Sequence, residues 1–324
     1  MERILELNPQ TYQRHDFHTL ERDWAETNCY VDVWIEQLHA LGLNPTAGLA
    51  FSVAADFEGD QWTFFKYQLS DIYELYGLEV QELVIWKTLI DHVVEQVKLG
   101  RPVLVELDSK YLPDTAGTAY QNSHVKTTVS INEIDVEKQH LGYFHAQGYY
   151  HLSGQDFVDV FGLPGCASPA VLSPYVEFAK IEKLTKHSDA DLRAISQRIL
   201  ARHLTMIPNE NPFTKFRHRF ESDFEWLKSQ SIDVFHEYAF VTFRQFGACF
   251  ELASNYLNWL APENESIKIS ATKFKAISEA TKVYQFQLAR AISRNKPLNL
   301  EFIDNLAQDW KIATDHLKSH FSEN

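Results

Sequence analysis

Asp23-Trp24-Ala25-Glu26-Thr27-Asn28-Cys29-Tyr30-Val31-Asp32-Val33-Trp34-Ile35-Glu36 decides how the first half of the chain reads. Apolar residues at Val31, Trp34, Ile35, Leu38 and Leu41 have the spacing of one buried helical stripe, and Gly42 stands where such a helix ends. Thr27 or Asn28 is the natural N-cap, so Cys29 begins the helix. A thiol in that first turn lies beside unpaired backbone N–H groups and the positive end of the helix dipole, and both favour thiolate. The same amides can hold a developing oxyanion. Cys29 is thus a candidate nucleophile; the alternative is a small residue buried at a helix start.

Outward from this helix, composition sets bounds. The chain has 324 residues, 45% of them hydrophobic, enough for a substantial core in one large domain or two ordinary ones. No run of about 18 apolar residues occurs and the N-terminus lacks a signal-peptide pattern, so a soluble cytoplasmic protein without a membrane partner is expected. Cys29, Cys166 and Cys249 are too scattered for a disulfide framework or a CxxC metal site and are expected as reduced thiols. A formal charge of −14 argues against a broad nucleic-acid surface. The densest basic run, Lys215-Phe216-Arg217-His218-Arg219, is expected on a solvated helix face.

Residues 1 to about 22 read as an extended lead-in whose His15 and His18 are exposed loop histidines. Ala47 to Ala55 is a second helix or a buried strand. Asp56 to Phe65 is acidic and aromatic, its rings suited to a groove wall or to ordinary core. A short helix follows over Asp71–Tyr76 under an N-cap Ser70, then a longer one from Glu82 to Leu99. At Arg101 the period changes. Pro102 to Leu107 is a short apolar strand, Lys110 to Asn122 a loop, and Val125, Thr127, Val129 and Ile131 alternate with polar residues in a half-buried strand that opens after His124. Strands over His140–Ala146 and Gly148–Leu152 flank an Ala146-Gln147-Gly148 turn. From about Leu184 the pattern is helical: Ala190–Leu204, Thr214–Gln230, Val234–Leu260, Ala271–Ser293 and Leu298–His320. This is an α+β layer architecture over residues 1–185 and an all-α region over 186–324.

A nucleophilic thiol needs a base, and the base needs a third group to orient it. His124, on a strand that can be laid against the Cys29 helix, is the candidate base. Which residue fills that third place the strand pattern alone leaves open. A metal site using His145 and His151 needs a hairpin to join them, because residues six apart on a continuous strand lie about 20 Å from each other.

Arg101-Pro102-Val103-Leu104-Val105-Glu106-Leu107-Asp108-Ser109-Lys110-Tyr111-Leu112-Pro113, then His124-Val125-Lys126-Thr127-Thr128-Val129, together with Asn28-Cys29, resembles the pattern of the butirosin-biosynthesis protein H N-terminal family. Over essentially its full length, including Phe243-Arg244-Gln245-Phe246-Gly247-Ala248-Cys249-Phe250-Glu251-Leu252-Ala253, the chain is similar to the domain of unknown function 1839 family. The resemblance implies a papain-like fold and acyl transfer. An aminoacyl or acyl group would pass from a carrier-protein thioester, presented on a phosphopantetheine arm, through Cys29 to a small amine. It implies no bound cofactor and no metal. By position Cys29 would accept the acyl group, His124 would be its base and Asp108 the orienting carboxylate, with Asn28, Tyr30, Tyr111 and His145 around the substrate or oxyanion. Two other readings stay open. The same site can hydrolyse, as a cysteine peptidase or amidase, or the chain is a non-catalytic carrier-protein-binding partner, with the helical half as a lid, docking surface or homodimer contact.

Overall fold

A computed structural model of the chain describes residues 1–19, 21–167, 172–294, 296–297 and 299–322. The residues group into two units. One comprises Met1–Thr19, Asn28–Pro45 and Leu69–His187, the other Leu20–Thr27, Thr46–Gln68 and Ser188–Asn324. The second unit thus takes in 20–27 and 46–68, which a single division near 185 assigns to the first.

Helix α1 (Cys29–Ala40) starts because the Asn28 side chain accepts the Val31 N–H at 3.0 Å, which identifies Asn28 as the N-cap. Val31, Val33, Trp34, Ile35 and Leu38 are fully buried. Gly42 follows in the left-handed region, φ +72°, where a side chain would be strained.

The first unit is built on seven antiparallel strands: β1 (Glu2–Arg3), β2 (Glu79–Glu82), β3 (Val103–Asp108), β4 (Lys126–Asp135), β5 (His140–His145), β6 (Gly148–Ser153) and β7 (Val176–Lys180). Their order is β2-β7-β3-β4-β5-β6, with β1 on β4. Val103, Val105, Leu107, Val129, Ile131 and Tyr143 point to one face, where they pack with α3 (Leu89–Lys98) and α4 (Gln155–Val160). Thr128 and Ser130 of β4 point the other way, towards α1. There Ser130 Oγ donates to Gln37 Oε1 at 2.8 Å. β4 was expected to be half-buried, but beyond Lys126 every residue is buried, because α1 roofs its polar face with polar groups.

Several elements differ from expectation. The helix expected from Glu82 begins only at Leu89, where Thr88 caps it by accepting the Asp91 N–H, and β2 ends at Glu82. Ser70 lies inside α2 (Leu69–Tyr76) rather than capping it. Strand β1, with two residues, is too short to show a period.

The second unit is helical: α5 (Asp189–Leu204), α6 (Pro212–Leu227), α7 (Ile232–Ala239), α8 (Gln245–Leu260), α9 (Glu265–Ser293) and α10 (Glu301–Ser322). The stretch expected as one helix from Val234 to Leu260 is two, joined by a π turn over Phe240–Arg244. Leu298, the expected start of the last helix, lies outside the described residues. Ala47 to Ala55, read as helix or strand, falls up to Ala54 in a 3₁₀ run over Pro45–Ala54. The rings of Asp56–Phe65 are core: Trp62 packs on Phe213 and Phe246, with ring centroids 4.8 and 4.7 Å away. Lys215, Arg217 and Arg219 are paired with Asp56, Glu221 and Asp223. Among the described residues no helix is long and apolar enough to cross a membrane.

Candidate functional site

Cys29 is half-buried at the start of α1, and its Sγ lies 3.6 Å from Thr128 Oγ1 on β4. His124 precedes β4 by two residues. Its Nδ1–H donates to Asp108 Oδ2 at 2.5 Å, and Lys110 Nζ donates to its Nε2 at 3.1 Å. Asp108 Oδ1 also accepts the Val125 N–H, which fixes the carboxylate where β3 ends. The structure therefore brings His124 and Asp108 together but does not join His124 to Cys29. Residues 124 and 128 are four apart along an extended chain, roughly 13 Å between Cα atoms. Register places Asp108 opposite Lys126 and Glu106 opposite Thr128, and the Lys126–Glu106 ion pair of 2.6 Å lies between the thiol and the imidazole.

The imidazole opens on a cleft of about 630 Å³ lined by Glu106, Asp108, Tyr111, Lys126 and Asp159 among others; Cys29 is not among its lining residues. The His124 side chain is 57% exposed. Tyr111 packs edge-on to it with centroids 6.3 Å apart, and the buried Tyr111 hydroxyl has no hydrogen-bond partner among the described residues. Burial, then the charge of Asp108, raises the pKa of that phenol, so it is present as a donor.

The other expected substrate residues are committed elsewhere. Asn28 Oδ1 is the helix cap. Tyr30 donates to Glu177 Oε2 at 2.8 Å, and burial followed by the Glu177 charge keeps its proton on. His145 bonds Thr127, whereas Cys29 meets Thr128; consecutive strand residues point to opposite faces, so His145 cannot serve the thiol. It sits instead in a buried relay, accepting from Thr127 Oγ1 at 2.8 Å and donating to Asp114 Oδ2 at 2.5 Å. For the same reason His145 and His151 do not converge on one metal. Cys249 is buried, which pushes its thiol pKa up.

Sequence reasoning missed one polar cluster entirely. His18, expected in an exposed loop, is fully buried, with Nδ1 2.5 Å from Glu36 Oε1 and Nε2 3.3 Å from Asp32 Oδ1. Burial opposes a charge on this ring, but hydrogen bonds to Asp32 and Glu36 and their negative charges outweigh it and raise the pKa to about 9. Nearby His15 is lowered to about 4, by burial and then by the neighbouring His39. Acidic residues at Asp32 and Glu36, on the otherwise apolar side of a helix, were the available signal.

No curated protein matches the chain. The profile of the DUF1839 N-terminal domain matches residues 13–181, the span that holds Cys29, Asp108 and His124, and that of the DUF1839 C-terminal domain matches residues 189–319. The chain belongs to the DUF1839 family.

Proposed function

We propose that the α+β unit is a papain-like module that moves an acyl or aminoacyl group from a carrier-protein thioester to an amine. The reading rests on Cys29 in the first turn of α1, half-buried, and on the His124–Asp108 pair formed where β3 ends and the chain enters β4. Thiol–thioester exchange is nearly balanced in free energy: the C–Sγ bond forms, the bond to the phosphopantetheine sulfur breaks, and the leaving thiolate takes the proton. Amine attack is the step that needs a base. With Nδ1–H held by Asp108, His124 offers Nε2 to the amine once the half-buried Lys110 swings aside.

One observation favours a second reading. Thr128, not an imidazole, neighbours the sulfur, as it would in a carrier-protein-binding module without catalysis. Incubation with an aminoacyl pantetheine thioester and an amine separates the two. Transfer predicts acylated Cys29, absent in Cys29→Ala, and an amine adduct whose formation slows in His124→Ala. No acylation of Cys29 would leave the binding module, and free acid alone would make the site a hydrolase.

A further inference from the structure

Glu133 on β4, His140 on β5 and His151 on β6 each bring a ligand-type atom to one spot, all within 4.8 Å of one another. Register accounts for the convergence. Gly142 pairs with Glu133 on one side and His151 on the other, and His140 lies two residues along β5 on the same face. Gly142 must lack a side chain for this: a Cβ there would stand 3.1 Å from Glu133 Cβ and 2.2 Å from Tyr149 Oη. The shift in β4 register between Ile131 and Glu133 turns Glu133 onto this face while Ile134 stays in the core.

The Glu133 carboxylate is buried and accepts from His140 Nε2 at 2.9 Å, with lone pairs to spare. The His140 and His151 rings meet edge-on, centroids 4.6 Å apart. We propose that Glu133, His140 and His151 bind a first-row divalent metal, Zn²⁺ foremost, through two imidazoles and one carboxylate, with water completing the shell. The donor set suits zinc. The 2.9 Å between Glu133 Oε1 and His140 Nε2 is about 0.4 Å short of the edge of a tetrahedral shell with bonds of about 2.0–2.1 Å, so a small opening of this pair seats the ion. On binding, His140 carries its proton on Nδ1, which frees Nε2 to ligate. Three neighbouring strands are then tied at one point, independently of any chemistry at Cys29.

The test is calorimetric titration of ZnCl₂ into the tag-free, chelator-stripped full chain, with Co²⁺ absorption as a second readout. One ion per chain is expected, with affinity reduced about 100-fold or more in His140→Ala, His151→Ala and Glu133→Gln and unchanged in His124→Ala. Zn²⁺ should raise the melting temperature of the unaltered protein but not of His151→Ala. Glu133→Gln keeps the side-chain shape, so its loss of binding is not explained by misfolding. Absence of saturable binding, or binding unchanged in His140→Ala and His151→Ala, overturns the assignment.

Discussion

Replacing His18 with leucine keeps an apolar body in a fully buried position but removes the imidazole from between Asp32 and Glu36 on α1. Glu36 retains the Tyr12 hydroxyl at 2.5 Å and the His15 N–H at 3.0 Å. Both carboxylates then lose the imidazole they share. Breaking a buried pair from one side costs about 3–5 kcal/mol. The remaining donors to Glu36 place the expected loss near the lower end at pH 7.5. The pH dependence carries the diagnosis. Because the folded pKa of His18 is raised from 6.5 to about 9, the folded state holds the extra proton between those values. Its contribution is complete below pH 6.5 and is lost as pH rises through about 9. His15, lowered to about 4, works in a separate window: its contribution is present above pH 6.5 and lost as pH falls towards 4. Hydrogen exchange of α1 amides, read by mass spectrometry from pH 6 to 9.5, isolates this unit from the helical one. The unaltered protein should lose α1 protection as pH rises across the window, and His18→Leu should start lower and change less. Equal slopes in the two proteins, or full protection in the variant, would refute the charged-imidazole account.

Gly247→Ala should destabilise the helical unit by about 1–3 kcal/mol, because the new Cβ would stand 2.6 Å from Trp24 Cζ2, an indole anchored to Ser278; denaturation of the variant checks it. Asp108→Asn should slow amine transfer roughly 100-fold while leaving the loading of Cys29 unchanged, measured as separate steps by mass spectrometry. Thr128→His should speed iodoacetamide labelling of Cys29 several-fold at pH 7 by setting an imidazole beside the sulfur, and an unchanged rate would contradict the Cys29–Thr128 adjacency.

The start of α1, the β3–β6 strands and the helical second half were legible because each has a long period or a cap that only local sequence sets. β1 and β7 were not, since two residues cannot display alternation and adjacent apolar residues at Phe178 and Ala179 break it in β7. The His124–Asp108 contact was within reach of sequence, as both residues flank a strand pair. The convergence at Gly142 was not, because it depends on cross-strand register, which a bulge in β4 shifts. His18 was misread for a related reason: its partners lie on a helix beyond the loop, and composition near His18 is that of an exposed turn.

The second unit is assembled from segments far apart in the chain. Trp24, Phe57 and Trp62 leave the ribosome long before Phe213, Phe216, Phe246 and Ser278, the residues that shelter them, have been synthesised. During translation these large rings must wait in water for well over a hundred residues, a period in which a chaperone able to hold aromatic surface would decide the yield.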